Sequence, residues 1–195
     1  MTHPLRLILP VLLLAASPAF AHTGGGEASG LLSGLFHPVS GWDHILAMVA
    51  VGLWGAQLGA PAIWVLPVAF PVVMAFGGLL GLLGMHLPGV EIGIALSALV
   101  LGTMVLLEVR LPLAAAAGMV AVFAVFHGHA HGAELPEGAN GLLYSLGFVV
   151  ATGLLHALGI AVGLVHRWPT GRMALRGAGA IVAAAGPVFL WNALA

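Results

Sequence analysis

The sequence predicts an all-α, polytopic membrane protein with six transmembrane helices behind a cleaved signal peptide. Three observations predict it. The chain of 195 residues is 61% hydrophobic and only 6% charged, with a mean hydropathy of +1.14, a composition that places it among membrane proteins. Its apolar stretches approach the ~20 residues that a helix needs to cross a bilayer. Glycine, proline and arginine punctuate those stretches at short intervals, so no linker is left for a second domain.

Residues 1–21 have the three regions of a signal peptide. Arg6 supplies the positive start, Leu7 to Ala16 the apolar centre, and Ala19-Phe20-Ala21 the small-residue cleavage site after Pro18. Ten apolar residues reach only about 15 Å of a roughly 30 Å hydrocarbon core, which is too short for a span. Cleavage makes His22 the first mature residue. Residues 22–41 then form a segment outside the membrane, and residues 42–195 the six-helix domain.

The first span runs from Trp42 to Leu58 and stops at Gly59-Ala60-Pro61. The second, Ala62 to Gly84, precedes His86-Leu87-Pro88, and the third, Glu91 to Leu107, precedes Arg110 and Pro112. The fourth covers Leu111 to Gly128, before a histidine-rich run and the break from Pro136 to Gly141. The fifth and sixth, Leu142 to Val165 and Ala174 to Leu194, are separated by Arg167 to Arg176. Glycines inside the spans, such as Gly77, Gly78, Gly81, Gly153, Gly159 and Gly163, read as places where helices approach closely.

Arginine sets the orientation. Arg110 lies between spans three and four, and Arg167, Arg172 and Arg176 between five and six, while the alternate connections carry none. Those two connections are therefore cytoplasmic, and both mature ends face the periplasm. An exported N-terminus is also what the signal peptide requires.

Composition excludes several functions. With no cysteine there is neither a disulfide framework nor a thiolate metal site. The only basic side chains besides histidine are five arginines in a chain of net charge -1; this provides no nucleic-acid surface, no P-loop lysine and no Schiff-base lysine.

What remains is histidine, ten in all. Polar side chains are costly within a bilayer, and neutral imidazoles beside carboxylates are ligands for borderline divalent metals. His37-x5-Asp43-His44 opens the first span. Were Ser40 to cap that helix, Asp43 would be N3 of a Ser-x-x-Asp box, a purely structural role, but this leaves His37 and His44 unexplained. In Phe126-His127-Gly-His129-Ala-His131-Gly-Ala-Glu134, His127, His131 and Glu134 fall at i, i+4 and i+7 on one helical face, whereas His129 points elsewhere. The topology carries all of these residues to the outer surface. Weaker candidates there are His22, through its imidazole and new α-amine, and Glu91, which also suits a helix N-terminus. His86 reads as a loop residue. His156, deeper in span five, either bonds a neighbouring helix or continues a pathway.

These motifs closely resemble those of the HupE/UreJ family of nickel and cobalt permeases. His37-x5-Asp43-His44 is similar to the family's first motif and the run from Phe126 to Glu134 to its second, in matching order within a six-helix plan. The resemblance implies uptake of Ni(II), or in some members Co(II), across the bacterial inner membrane, with metal roles at His37, Asp43, His44, His127, His131 and Glu134. His129 stands at a variable place of the second motif.

The expectation is thus a non-enzymatic secondary or facilitative transporter that captures nickel, with cobalt as second candidate, at its periplasmic mouth. Its partners are the divalent ion and the lipid bilayer, not nucleic acid; it holds no resident cofactor, and nothing in the sequence opposes a homo-oligomer. Affinity alone favours copper, so selectivity must come from geometry. The rival is an intramembrane zinc hydrolase, with three histidines on Zn(II), Asp43 or Glu134 as base and Ser40 assisting. It resembles the membrane ceramidase-like hydrolases in residue types only. A third reading is a metal buffer that binds without transport.

Overall fold

Away from water a backbone can satisfy its N–H and C=O groups only within itself, and each apolar stretch accordingly folds as a helix. In a computed structural model, residues 30–135 and 140–195 are described; the expected signal peptide and His22 lie outside them. The elements are α1 (Gly30–Phe36), a 3-10 turn (His37–Val39), α2 (Trp42–Leu58), α3 (Ala62–Leu82), α4 (Val90–Leu107), α5 (Leu113–Ala133), α6 (Gly141–Gly163), a second 3-10 turn (Leu164–Arg167) and α7 (Pro169–Leu194). Among the described residues all regular structure is helical.

Five helices, α3 to α7, are long and apolar enough to cross a membrane, α6 together with its following turn. The sixth expected span, α2, has 17 residues, about 26 Å of helix. Eleven of those 17 residues are buried, which makes α2 the centre of the bundle. It packs on α6, α4, α3 and α7. Elsewhere α3 pairs with α5, α4 with α7 and α1 with α6. The outward faces stay apolar, as with Val68, Val72 and Phe76 of α3 and Leu154 and Leu158 of α6, and suit a lipid environment.

The pairings rest on glycine. A Cβ at Gly77 would meet the backbone of Val125, and at Gly128 the carbonyl of Met74, so α3 and α5 touch main chain to main chain, as small residues permit. Gly52 and Gly159 bring α2 onto α6 in the same way. Pro67 and Pro71 lie inside α3 without ending it; membrane helices tolerate the lost donors where neighbouring elements re-satisfy the freed groups.

Two expected helix ends need correction. α5 continues to Ala133 rather than stopping at Gly128, because packing on α3 carries the helix through glycines that read as breakers. α7 starts at Pro169 rather than Ala174, since proline is preorganised for a first helical position. Within the 22–41 segment, residues 30–36 form a further helix, and Gly34 seats α1 against Tyr144 and Phe148 of α6. Ser40 does not cap α2: the N-cap is Gly41, and the Ser40 hydroxyl donates to the His37 carbonyl at 2.7 Å.

The two ends of the bundle differ chemically. At one, Gln57, Glu108, Arg110, His166 and Arg172 line a cavity of about 130 Å3. Here Arg172 donates to Glu108 at 2.7 Å, and this partner holds the Glu108 carboxyl below its usual range. The histidine motifs gather at the other end.

Candidate metal centre

Three elements deliver the imidazoles. The 3-10 turn and first turn of α2 bring His37 and His44, and the end of α5 brings His127 and His131. Because Gly128 is committed to α3, the adjacent His127, and His131 one turn later, are turned toward α2 and α6. Phe148 of α6 forms the facing wall, with ring centroids 6.1 Å from His37, 5.4 Å from His44 and 4.5 Å from His131.

His44 Nδ1 is the meeting point. His127 Nδ1 lies 3.2 Å from it and His131 Nε2 3.1 Å. Bound to a metal at about 2.1 Å, imidazole nitrogens on neighbouring positions stand roughly 3.0–3.4 Å apart by geometry, so these two separations suit shared ligation as well as a hydrogen bond. One proton on His44 Nδ1 can satisfy only one of the two contacts. A cation would engage all three lone pairs. His44 and His127 are buried and His131 half-buried.

A second group overlaps the first. His37 Nε2 lies 2.7 Å from His131 Nδ1 and 3.6 Å from Glu134 Oε2. All three residues are half-buried, and their ligand atoms lie within 4.8 Å of one another. His131 belongs to both groups, presenting one ring nitrogen to each. The half-exposed group also contains the carboxylate, whose charge lowers the cost of desolvating a dication.

Outer contacts orient the rings. The Ser97 hydroxyl donates to Ile94 O at 2.6 Å and is left to accept from His127 Nε2 at 2.9 Å. That puts the His127 proton on Nε2 and leaves Nδ1 as a lone pair facing His44, the arrangement a ligand needs. Thr152 Oγ1 is 3.5 Å from His44 Nε2.

Of the residues singled out in the sequence, five meet here: His37, His44, His127, His131 and Glu134. Asp43 stands outside both groups, where its Oδ1 accepts the His44 N–H at 2.7 Å and satisfies an otherwise unpaired donor of the first helical turn. His129 lies within hydrogen-bond distance of Met85 O, at 2.6 Å, on the exposed side. Glu91 is exposed in the first turn of α4 and joins neither group. Ser97, Thr152 and Phe148 were not anticipated, because such residues are ordinary in membrane helices; only the four-residue spacing of Tyr144, Phe148, Thr152 and His156 hints at a shared inner face on α6.

Comparison with known proteins gives concordant matches. A family model described as HupE / UreJ protein matches residues 10–189. Protein HupE of Rhizobium leguminosarum bv. viciae is 48% identical over 184 residues, 94% of this chain and 96% of the relative. No solved structure matches.

Proposed function

The chain belongs to the HupE/UreJ family, and from that premise we propose that it takes up divalent nickel, with cobalt as the alternative cargo, across the bacterial inner membrane. It works as a secondary or facilitative transporter and not as an enzyme. The observation that carries this reading is the sharing of His131 between a half-exposed group with Glu134 and a buried group of imidazoles alone.

A cation arriving from the periplasm sheds water onto His37, His131 and Glu134, where a carboxylate offsets its charge. It passes inward by exchanging His37 and Glu134 for His44 and His127 while His131 remains within reach of both sets. Stepwise exchange keeps the ion from being stripped of ligands in a low dielectric, where a bare charge is prohibitive. Neutral imidazole donors suit nickel and cobalt as well as copper and zinc, so selection among them falls to the spacing of the three nitrogens.

The test is radiometal flux into liposomes holding the purified protein, comparing Ni(II) and Co(II) with Zn(II), Cu(II) and Mn(II). Saturable entry of Ni(II) or Co(II), at least about fivefold above protein-free vesicles, is expected. Stoichiometric binding with no flux would instead establish a metal buffer and overturn transport.

A further inference from the structure

Tyr144, Phe148, Thr152 and His156 stand four residues apart along α6 and are all buried, forming one stripe down its inner face. The first three belong to the surroundings of the outer metal groups. The fourth does not. His156 is 1% exposed, and neither its Nδ1 nor its Nε2 has a hydrogen-bond partner. Phe70 of α3 stands between it and the outer site, its ring centroid 5.6 Å from that of His127 and 5.6 Å from that of His156.

An unpaired buried polar group costs about 1–3 kcal/mol, and this imidazole carries two. A leucine or phenylalanine would fill the space without that cost. The side chain therefore makes physical sense as a donor to something that visits the site. Its depth is fixed by α2, since the His156 carbonyl adjoins Gly52, eight residues beyond His44 and five before Gln57. Along α6 it stands one helical turn, about 6 Å, beyond Thr152, which lies 3.5 Å from His44 Nε2, and along α2 its level is about 8 Å short of Gln57. Gln57 Oε1 is itself buried and unpartnered, on the wall of the cavity at the arginine-bearing end.

We propose that His156 is an intramembrane binding station for the same divalent cation, separate from the outer groups and intermediate between them and the inner cavity. The inference rests on the transport reading for its purpose, but residence of a metal at this depth can be measured without transport. The ligand class is a borderline divalent ion, which an imidazole holds through one lone pair while water fills other positions.

The absence of native cysteine makes a direct test available. In His156→Cys, added Co(II) should produce a thiolate-to-cobalt charge-transfer band in the near ultraviolet, which only a sulfur at that position can supply. Leu158→Cys, on the lipid-facing side of the same helix, should produce none. In parallel, His156→Ala should bind one equivalent of Ni(II) at the outer site with an affinity within threefold of the parent while losing at least tenfold in flux. No band in His156→Cys, or flux of His156→Ala within twofold of the parent, overturns the station. Loss of outer-site binding in His156→Ala would place the residue within that site and also overturn it. A parent protein that carries no flux refutes the transport reading instead, leaving the charge-transfer band to decide the station.

Discussion

At the scale of single residues, a histidine inside a lipid-embedded bundle persists when its two nitrogens have defined tasks. His127 shows the division: Nε2 is held by Ser97 and Nδ1 is presented to His44. Removing the ligand and removing its orienting partner should therefore differ in degree. His127→Ala is expected to abolish measurable binding at the buried group, whereas Ser97→Ala should weaken it about 10–100-fold, as is usual for an orienting contact; calorimetric Ni(II) titration of both in detergent separates them, and equal loss would contradict the tautomer assignment. The sequence disclosed His37, His44, His127, His131 and Glu134 as candidates because their motifs concentrate costly groups. It left open whether Asp43 serves the helix start or the metal, since a capping acid and a ligand acid look alike in one dimension; the structure shows its Oδ1 accepting the His44 N–H.

At the scale of elements, the positions of the imidazoles depend on how closely the helices carrying them approach. α3 and α5 meet through backbone at Gly77 and Gly128, so a side chain at this seam pushes apart two helices rather than displacing a flexible neighbour. Gly77→Val removes no ligand, yet it should cost about 1–3 kcal/mol of stability by overpacking and weaken Ni(II) binding at least about tenfold by shifting His127 against His44. Gly118 of α5 has open space where a Cβ would stand, and Gly118→Ala should leave binding unchanged. Thermal unfolding and metal titration of the pair check both statements; unaltered affinity in a folded Gly77→Val protein would show that the seam does not position the site. The long helices α2 to α7 were legible, α2 to the residue, because apolar length and proline or glycine punctuation report them directly, whereas the short α1 was not. Where the ends moved, packing extended α5 through glycines that local propensity counts as breaks, and proline opened α7 earlier than the arginines suggested.

At the scale of the whole molecule, the arginine-bearing connections and the histidine groups occupy opposite ends of one bundle. Reading the arginine end as cytoplasmic makes the other end the mouth from which metal is captured. Single cysteines at exposed positions test the assignment in intact cells, with His86→Cys at the histidine end and Thr170→Cys at the arginine end. An impermeant maleimide should label the first directly and the second only after the membrane is opened; the reverse pattern would overturn the periplasmic placement of the histidine end.

By itself the sequence determined the all-helical membrane architecture and which residue types bear metal-binding chemistry, because these follow from apolar length and residue type, both of which are local. Only the tertiary structure decided which lone pairs converge. His37, His44, His127 and His131 are separated by as many as 94 residues along the chain, and their spacing to within a few tenths of an ångström depends on the rotation and approach of α2, α5 and α6, set by glycines, Ser97 and Phe148 elsewhere. The same holds for the unpartnered nitrogens of His156: a residue type is local, whereas the absence of a neighbour is a property of everything packed around it.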